Sequence, residues 1–395
     1  MIEKLSMKIT AAVLLLPTLI ILLTGCWDSH ELDALFIVTG VAFDEAKDPE
    51  KMDITLQIGK AKSNVATGGK SSSQDNSMIF LKATYDTLLE GLIELDQESS
   101  RRLYLPHCQV LVLGEDIAKQ GIQNRIDMIL RDQKIRLELP VLVAEGRAEK
   151  VLTAKLDQEV NTGLYLASVM QELYNMSPYY RVRMLDFVSR MQDGTSSTVA
   201  PIATLHKEGT KQEIIIRDLA VFKKDKLAGR LDFDKTMGYL WALGKVRRCN
   251  ITAKNDSGQA VFTIFELDTT RNVEMKPDGG IRVKLSVNTK LGIGELRGFD
   301  SISTEDMMPY LVELAQNQIR AQITDTFETV KVLNTDIYGF GVSVHRAYPK
   351  EWKEMKGQWD ELFPEIELDV QVKAHLHTIG QIVKSLEMEV DNFED

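Results

Sequence analysis

AVFTIFELDTTRNVEMKPDGGIRVKLSVNTKL, residues 260–291, is the stretch that decides the fold of the second half of this chain. Two runs rich in β-branched residues, 260–274 and 281–291, flank the sequence Lys-Pro-Asp-Gly-Gly at 276–280. Proline, aspartate and glycine supply the backbone conformations that a tight turn requires. The stretch therefore predicts a long β-hairpin.

A long helix is predicted directly after this hairpin, from about Ser303 to Leu333. Its apolar residues recur at every fourth position, a period that places them on one face of a helix. They are Leu311, Ala315, Ile319, Ile323 and Phe327. The breadth of this stripe indicates a helix packed on a core rather than a coiled coil. Further strands are predicted at 213–222 and 365–376, and a further helix at 235–243.

The first half of the chain mixes short strands and helices. Runs of β-branched residues predict strands, and apolar side chains three or four positions apart predict amphipathic helices. The predicted strands are 34–44, 52–59, 78–81, 109–113 and 137–144, and the predicted helices are 88–95, 122–130, 162–175 and 183–193. For the helix at 162–175, Leu164, Val169 and Leu173 are the expected core positions. A Gly- and Ser-rich segment, 63–77, predicts a loop.

These patterns predict an α+β fold of several subdomains, in which mixed and antiparallel sheets pack with helices. A change in composition between Pro201 and Gly209 predicts a boundary between two domains, 26–205 and 206–386, followed by an acidic tail, 387–395. A further division near residue 155 stays open.

The amino terminus has the features of a lipoprotein signal peptide. Lys4 and Lys8 precede an apolar run, 9–23, which is shorter than the ~20 residues that a membrane-spanning helix needs. The small pair Thr24-Gly25 stands directly before Cys26, as in a bacterial lipobox. This predicts that the chain is cleaved between Gly25 and Cys26, which removes residues 1–25, and that lipid is attached to Cys26. Because two or three acyl chains anchor a protein stably, no transmembrane helix is expected in the mature chain.

Net charge and cysteine content indicate which partners and which disulfide bonds are possible. The formal net charge is −11, which argues against nucleic acid as a partner. Besides Cys26, the chain has Cys108 and Cys249. They could form one disulfide in an oxidising compartment, or remain as two buried thiols.

Motifs for catalysis or metal binding are not found in the sequence. There is no Gly-x-Ser-x-Gly or Ser-x-x-Lys motif, and Gly292, Gly294 and Gly298 have the wrong spacing for a dinucleotide fingerprint. His375 and His377 would share one face of a strand, but no nearby cysteine or carboxylate pattern completes a metal site. We therefore expect no enzymatic activity and no cofactor.

Two other constellations are unusual. One begins Cys26-Trp-Asp and continues through the strand Ile37-Val-Thr-Gly-Val-Ala-Phe-Asp44, where Gly40 predicts a bulge or a close approach. The other is Asp336-Ile-Tyr-Gly-Phe-Gly341, followed by Trp352, Trp359 and Phe363-Pro364. These aromatic residues are expected to anchor a carboxyl-terminal segment onto the sheet.

In this combination the chain resembles the Ger(x)C family, the C subunits of spore germinant receptors. The resemblance runs in order through nearly all of the mature chain. Besides the two constellations, it includes Pro106-His107, the strand Val110 to Gly114, Gly121-Ile122, Arg131-Asp132, Val143 to Gly146 and Thr378-Ile-Gly380.

This resemblance implies a lipoprotein on the outer face of the inner spore membrane. It implies assembly with two integral-membrane subunits, A and B, into a receptor that triggers germination in response to nutrients. It also implies an α+β body without known catalytic activity. Cys26 is the one functional residue that the family pattern transfers to this chain.

Two other classes of exported protein lead to different expectations. An extracytoplasmic solute-binding lipoprotein would also carry a lipobox, but it should show repeated βα units that form two parallel sheets. A secreted hydrolase would need a nucleophile or a metal constellation.

Overall fold

A computed structural model describes residues 34–59, 78–132, 135–172, 176, 180–299 and 302–378. The predicted signal peptide, with Gly25 and Cys26, lies outside the described residues. So do the predicted loop at 63–77 and the acidic tail.

The described strands form two sheets. Those of the first sheet are β1 (Leu35–Glu45), β2 (Met52–Gly59), β3 (Ile79–Tyr85), β4 (Arg102–Tyr104), β5 (Leu111–Leu113), β6 (Val141–Ala144), β7 (Val199–Glu208), β8 (Lys211–Lys223) and β9 (Lys226–Leu231). Those of the second sheet are β10 (Asn250–Asn255), β11 (Gly258–Met275), β12 (Ile281–Gly298) and β13 (Glu367–Thr378).

The described helices connect these strands or pack on their faces. They are α1 (Leu88–Glu98), α2 (Glu115–Gln120), α3 (Gln123–Arg131), α4 (Ala148–Leu152), α5 (Thr162–Glu172), α6 (Met184–Gln192), α7 (Phe233–Ala242), α8 (Thr304–Val332), α9 (Phe340–Ala347), α10 (Trp352–Met355) and α11 (Trp359–Leu362). The predicted α+β class is confirmed.

The first sheet is mixed. Its order is β3-β2-β1-β5-β6-β7-β8-β9, and β4 pairs with β1 beside this path. Within this order, β1, β5, β6 and β7 are parallel to one another, whereas β2, β3, β8 and β9 pair antiparallel with their neighbours. Parallel neighbours need crossover connections, and the helices between these strands supply them.

Helices cover both faces of the first sheet. On one face, Leu88 of α1, Ile117 of α2 and Phe187 of α6 join the main hydrophobic core. On the other face, Leu152 of α4 and Leu166 of α5 join a second core. Burial of apolar side chains on both faces explains why the inner strands read as continuous apolar runs.

Two expectations for the first half were wrong in detail. In α5 the buried apolar residues are Leu166 and Met170, whereas Leu164 is 42% exposed, because the packed face is rotated from the one expected. The expected core position Val169 is half-buried and packs against the second core. Leu173 lies outside the described residues. The strand expected at 137–144 begins only at Val141. Pro140 precedes it and has no N–H to donate to a sheet.

The second sheet is built on the predicted hairpin. β11 and β12 pair antiparallel from Met275–Ile281 to Gly258–Gly298, and β13 pairs parallel with β12. Helix α8 packs against this sheet and against α7. The predicted stripe residues of α8, from Leu311 to Phe327, are at most 1% exposed. Ser303 caps this helix by accepting a hydrogen bond from the N–H of Asp306, so the predicted start is also confirmed.

The first sheet continues past the expected domain boundary at 205/206. Strands β7 and β8 pair from Val199–Val221 to Glu208–Lys211 on either side of it. The division into two domains therefore stays a prediction. The two sheets also differ in kind, so the described residues do not form the two parallel lobes expected of a solute-binding lipoprotein.

Among the described residues, no helix combines the length and the apolar character needed to cross a bilayer.

Candidate functional site

The predicted lipid-attachment residue, Cys26, cannot be placed within the described structure. The described residues do include the second unusual group of the sequence, which runs from Asp336 to Gly341 and continues with Trp352, Trp359 and Phe363. These residues lie together in the structure. Residues 336–341, here called the 336–341 turn, follow the end of α8 and include the first two residues of α9.

The 336–341 turn is closed by a buried carboxylate. Asp336 is 3% exposed, and it accepts hydrogen bonds from the backbone N–H of Phe340 (2.9 Å) and of Gly341 (2.8 Å). These amides begin helix α9, where backbone N–H groups lack partners inside the helix. Gly339 has a φ of 70°, a left-handed conformation that glycine adopts without strain. The spacing of aspartate and glycines in the sequence thus follows from the geometry of one helix start.

Two arginines attach distant elements to this turn. Arg190 of α6 donates through Nη1 to the carbonyl oxygen of Ile337 (2.9 Å), and it lies 3.3 Å from the hydroxyl of Tyr239. Arg271 of β11 donates to the carbonyl oxygen of Tyr338 (2.7 Å). The turn therefore joins α6, which packs on the first sheet, to a strand of the second sheet.

Aromatic side chains surround the same turn. A Cβ at Gly341 would lie 3.0 Å from ring atoms of both Trp352 and Trp359, so the indoles pack directly on the glycine. Phe363 contacts Phe327 of α8 with ring centroids 6.2 Å apart. The expected anchors are thus buried, and they pack on the turn and on the long helix.

Burial dominates the electrostatics of the turn. Removal from water raises the pKa of Asp336 above its ordinary value, whereas the N–H groups of Gly341 and Phe340, and to a smaller extent Arg190, oppose the rise. Burial likewise raises the pKa of Tyr338 well above its ordinary range. A buried aspartate that accepts backbone hydrogen bonds is suited to hold a chain reversal in place.

A similar arrangement occurs in the first sheet, in strand β1, which contains the unusual segment Ile37 to Asp44. The pairing of β1 with β2 shifts register between Val38 and Gly40, as the predicted bulge requires. Asp44, at the end of β1, accepts hydrogen bonds from the N–H groups of Ala148 (2.7 Å) and Glu149 (2.8 Å) at the start of α4. Sequence reasoning singled out both aspartates, but it gave no local signal for Arg190, Arg271 or α4 as their partners.

Other reactive groups are scattered. Among the described residues, no cluster of three or more His, Cys, Asp or Glu side chains could hold a metal ion. His375 is exposed on β13, and the side chain of His377 lies outside the described part. Cys108 and Cys249 are free thiols rather than a disulfide, and burial raises the pKa of each to about 12. Such thiols are poor nucleophiles near neutral pH.

Comparison with known proteins gives these features a family context. The profile described as "Spore germination protein N-terminal domain" matches residues 28–205. The profile described as "Spore germination B3/ GerAC like, C-terminal" matches residues 217–380.

Full-length relatives agree with these matches. The chain is 25% identical over 402 residues to spore germination protein KC of Bacillus subtilis, a match that covers 94% of this chain and 96% of the relative. It is 24% identical to the putative spore germination protein YfkR of the same organism, covering 96% of this chain and 100% of the relative. It is 20% identical to spore germination protein B3, again of B. subtilis, covering 93% and 97%.

A solved structure has the same fold. The crystal structure of the GerBC protein superposes with a TM-score of 0.57 at 17% identity, covering 86% of this chain and 97% of that chain. Both profiles and the full-length relatives lead to one conclusion: the chain belongs to the Ger(x)C family of spore germination proteins.

Proposed function

We propose that this protein is the lipid-anchored C subunit of a spore nutrient germinant receptor. In this proposal, lipid on Cys26 holds the folded body at the outer face of the inner spore membrane. There it assembles with integral-membrane A and B subunits, and it acts as a non-catalytic component that helps to trigger germination.

The observation that carries the proposal is the order of features along the chain. The lipobox, Thr24-Gly25-Cys26, is followed within two residues by the first spore germination profile, and that profile is followed by the second. In this proposal the thiolate of Cys26 supplies the anchor, because burial raises the pKa of the Cys108 and Cys249 thiols to about 12 and makes them unsuited to it.

The anchor is tested by exchanging Cys26→Ala in the spore-forming host and labelling with a fatty-acid analogue. We expect the wild-type chain to carry the label and to fractionate with membranes. The variant should lose the label, accumulate as uncleaved or released protein, and germinate poorly on nutrients. Cys249→Ala is the matched control, and it should keep the label. An unlabelled wild-type chain would overturn the lipid anchor.

Assembly is tested separately, by affinity purification of the tagged full-length chain from solubilised spore membranes. We expect integral-membrane receptor subunits to be recovered by mass spectrometry with the wild-type chain. Recovery of the tagged chain without any integral-membrane protein would contradict the proposed assembly, whatever the result for Cys26.

A further inference from the structure

A cavity in the described part of the chain lies where the two halves of the chain meet. Its volume is about 540 Å³, within the range of pockets that hold small molecules. The segment 180–183, helix α6 and the start of β7 form one side, and Leu243 and Lys245, just after α7, contribute the other.

The wall of this cavity is cationic, although the whole chain has a net charge of −11. Arg181, Arg183, Arg190 and Lys245 line it together with a single acidic residue, Asp186. Asp186 is already paired with Arg183, through two hydrogen bonds of 2.7 and 2.9 Å.

The other three cations have no such partner among the described residues. None of the ion pairs between described residues includes Arg181, Arg190 or Lys245, although the charge of Asp336 acts on Arg190 and that of Asp186 on Lys245 from farther away. Lys245 instead lies over the ring of Tyr180, with Nζ 4.9 Å from the ring centroid. Three cations on one concave wall repel one another, and an anion between them would relieve that repulsion.

Hydrogen-bonding capacity is also unused at this wall. Thr198 is 1% exposed, and its hydroxyl has no hydrogen-bond partner within the described part of the chain. The Nε of Arg181 is likewise buried and without a partner there, while its Nη2 is fixed by the carbonyl oxygen of Glu138 (3.2 Å). Buried donors without acceptors are rare in folded proteins. An oxyanion could accept hydrogen bonds from both groups.

We propose that this cavity binds a small organic oxyanion, a carboxylate or a phosphate ester. The guanidinium of Arg181 and the ammonium of Lys245 supply charge, Thr198 supplies a hydroxyl donor, and Tyr180 supplies an aromatic wall. Arg190 connects this cavity to the 336–341 turn, because the same guanidinium donates to Ile337. The inference goes beyond the proposed function and does not depend on the lipid anchor.

The test uses the full-length chain in a non-ionic detergent, titrated calorimetrically with citrate and with glycerol 3-phosphate. Glycerol at the same ionic strength is the neutral probe. We expect saturable binding of at least one anion and none of glycerol. The exposed Lys245 is then changed, Lys245→Ala, which should raise the dissociation constant at least about tenfold, the scale of one charge-assisted contact.

Lys254→Ala, an exposed lysine on β10 away from the cavity, is the matched control and should bind as the wild type does. Dihexanoyl phosphatidylglycerol, below its critical micelle concentration, identifies the source of the anion. If it binds more tightly than glycerol 3-phosphate, a lipid headgroup is the ligand, and if it binds more weakly, a free metabolite is. Absence of saturable binding to any of these anions, or equal loss of binding in both lysine variants, would overturn the inference.

Discussion

Strand β1 and the 336–341 turn both hold the start of a helix with a buried aspartate, but the partners lie at different distances along the chain. In each, a buried aspartate accepts two backbone N–H groups at the start of a helix. In each, a glycine also leaves room for a large side chain, Leu152 at Gly40 and two tryptophans at Gly341.

The two regions differ in how far the partners lie along the chain. Asp336 caps a helix that begins four residues later, whereas Asp44 caps one that begins 104 residues later. They also differ in the charged neighbour of the aspartate. Asp44 and Asp336 are 2% and 3% exposed, but Asp44 lies 3.9 Å from Arg147, whose side chain is 39% exposed. Because the cation beside Asp44 reaches solvent, we expect the loss of Asp336 to lower the free energy of unfolding more than the loss of Asp44.

The largest effect is expected for Asp336→Ala. The substitution leaves the N–H groups of Phe340 and Gly341 buried without an acceptor, and it removes a negative charge that acts on Arg190. We expect a loss of about 4 kcal/mol in the free energy of unfolding. Urea unfolding followed by circular dichroism measures this loss. Asp256→Ala, in an exposed turn, is the control, and equal losses in the two variants would remove the special role of Asp336.

Asp44→Ala should lower the free energy of unfolding somewhat less, by about 3 kcal/mol, although Asp44 is also buried. It frees the N–H groups of Ala148 and Glu149, but Arg147 remains hydrated when its carboxylate partner is removed. The same unfolding measurement applies, with the exposed Asp116→Ala as control. A loss greater than that of Asp336→Ala would reverse the comparison.

Gly40→Val tests the glycine contact of β1. A Cβ at Gly40 would lie 2.7 Å from Cδ1 of Leu152, so a valine must displace the end of that leucine side chain. Because such an end can move, we expect a moderate loss of about 2 kcal/mol. Gly357→Val is the control, since nothing lies within 4 Å of its Cβ. An unchanged melting temperature for Gly40→Val would show that the structure around the bulge accommodates a valine side chain without loss of stability.

The smallest effect is a change in the pH dependence of stability. Burial raises the pKa of Asp336 above 3.8, so the folded chain retains a proton at pH values where the unfolded chain has lost it. The stabilisation is complete below about pH 3.8 and is lost as the pH rises through the folded pKa.

Asp336→Asn removes this titration. The free energy of unfolding should therefore fall less steeply with rising pH in the variant than in the wild type, by at most about 1.4 kcal/mol per pH unit. Urea unfolding at a series of pH values from about 4 upward measures both slopes, with Asp256→Asn as the control. Parallel curves for wild type and Asp336→Asn would contradict the raised pKa.

Much of the second half was predictable because its signals are local. The turn at 276–280 fixes the hairpin, and the four-residue spacing from Leu311 to Phe327 fixes the packed face of α8. Asp336, Gly341 and the two tryptophans also stood out, because the residues that need one another lie close together in the chain.

The first half was predicted less well because its packing depends on distant partners. The parallel neighbours of β1 come from residues 111–113 and 102–104, and no local pattern specifies that pairing. The buried face of α5 was misassigned for a similar reason, since the second core, rather than the helix pattern alone, selects Leu166 and Met170.

The sequence by itself determined the α+β class, the long hairpin with its helix, and the lipobox expectation at Cys26. Each of these depends on residues that are separated along the chain by no more than about one helix or strand. Only the tertiary structure decided that Arg190 and Arg271 attach both halves to the 336–341 turn, and that cations from both halves line one cavity. Burial and charge at such places depend on segments far apart in the chain, and these meet only when the chain folds.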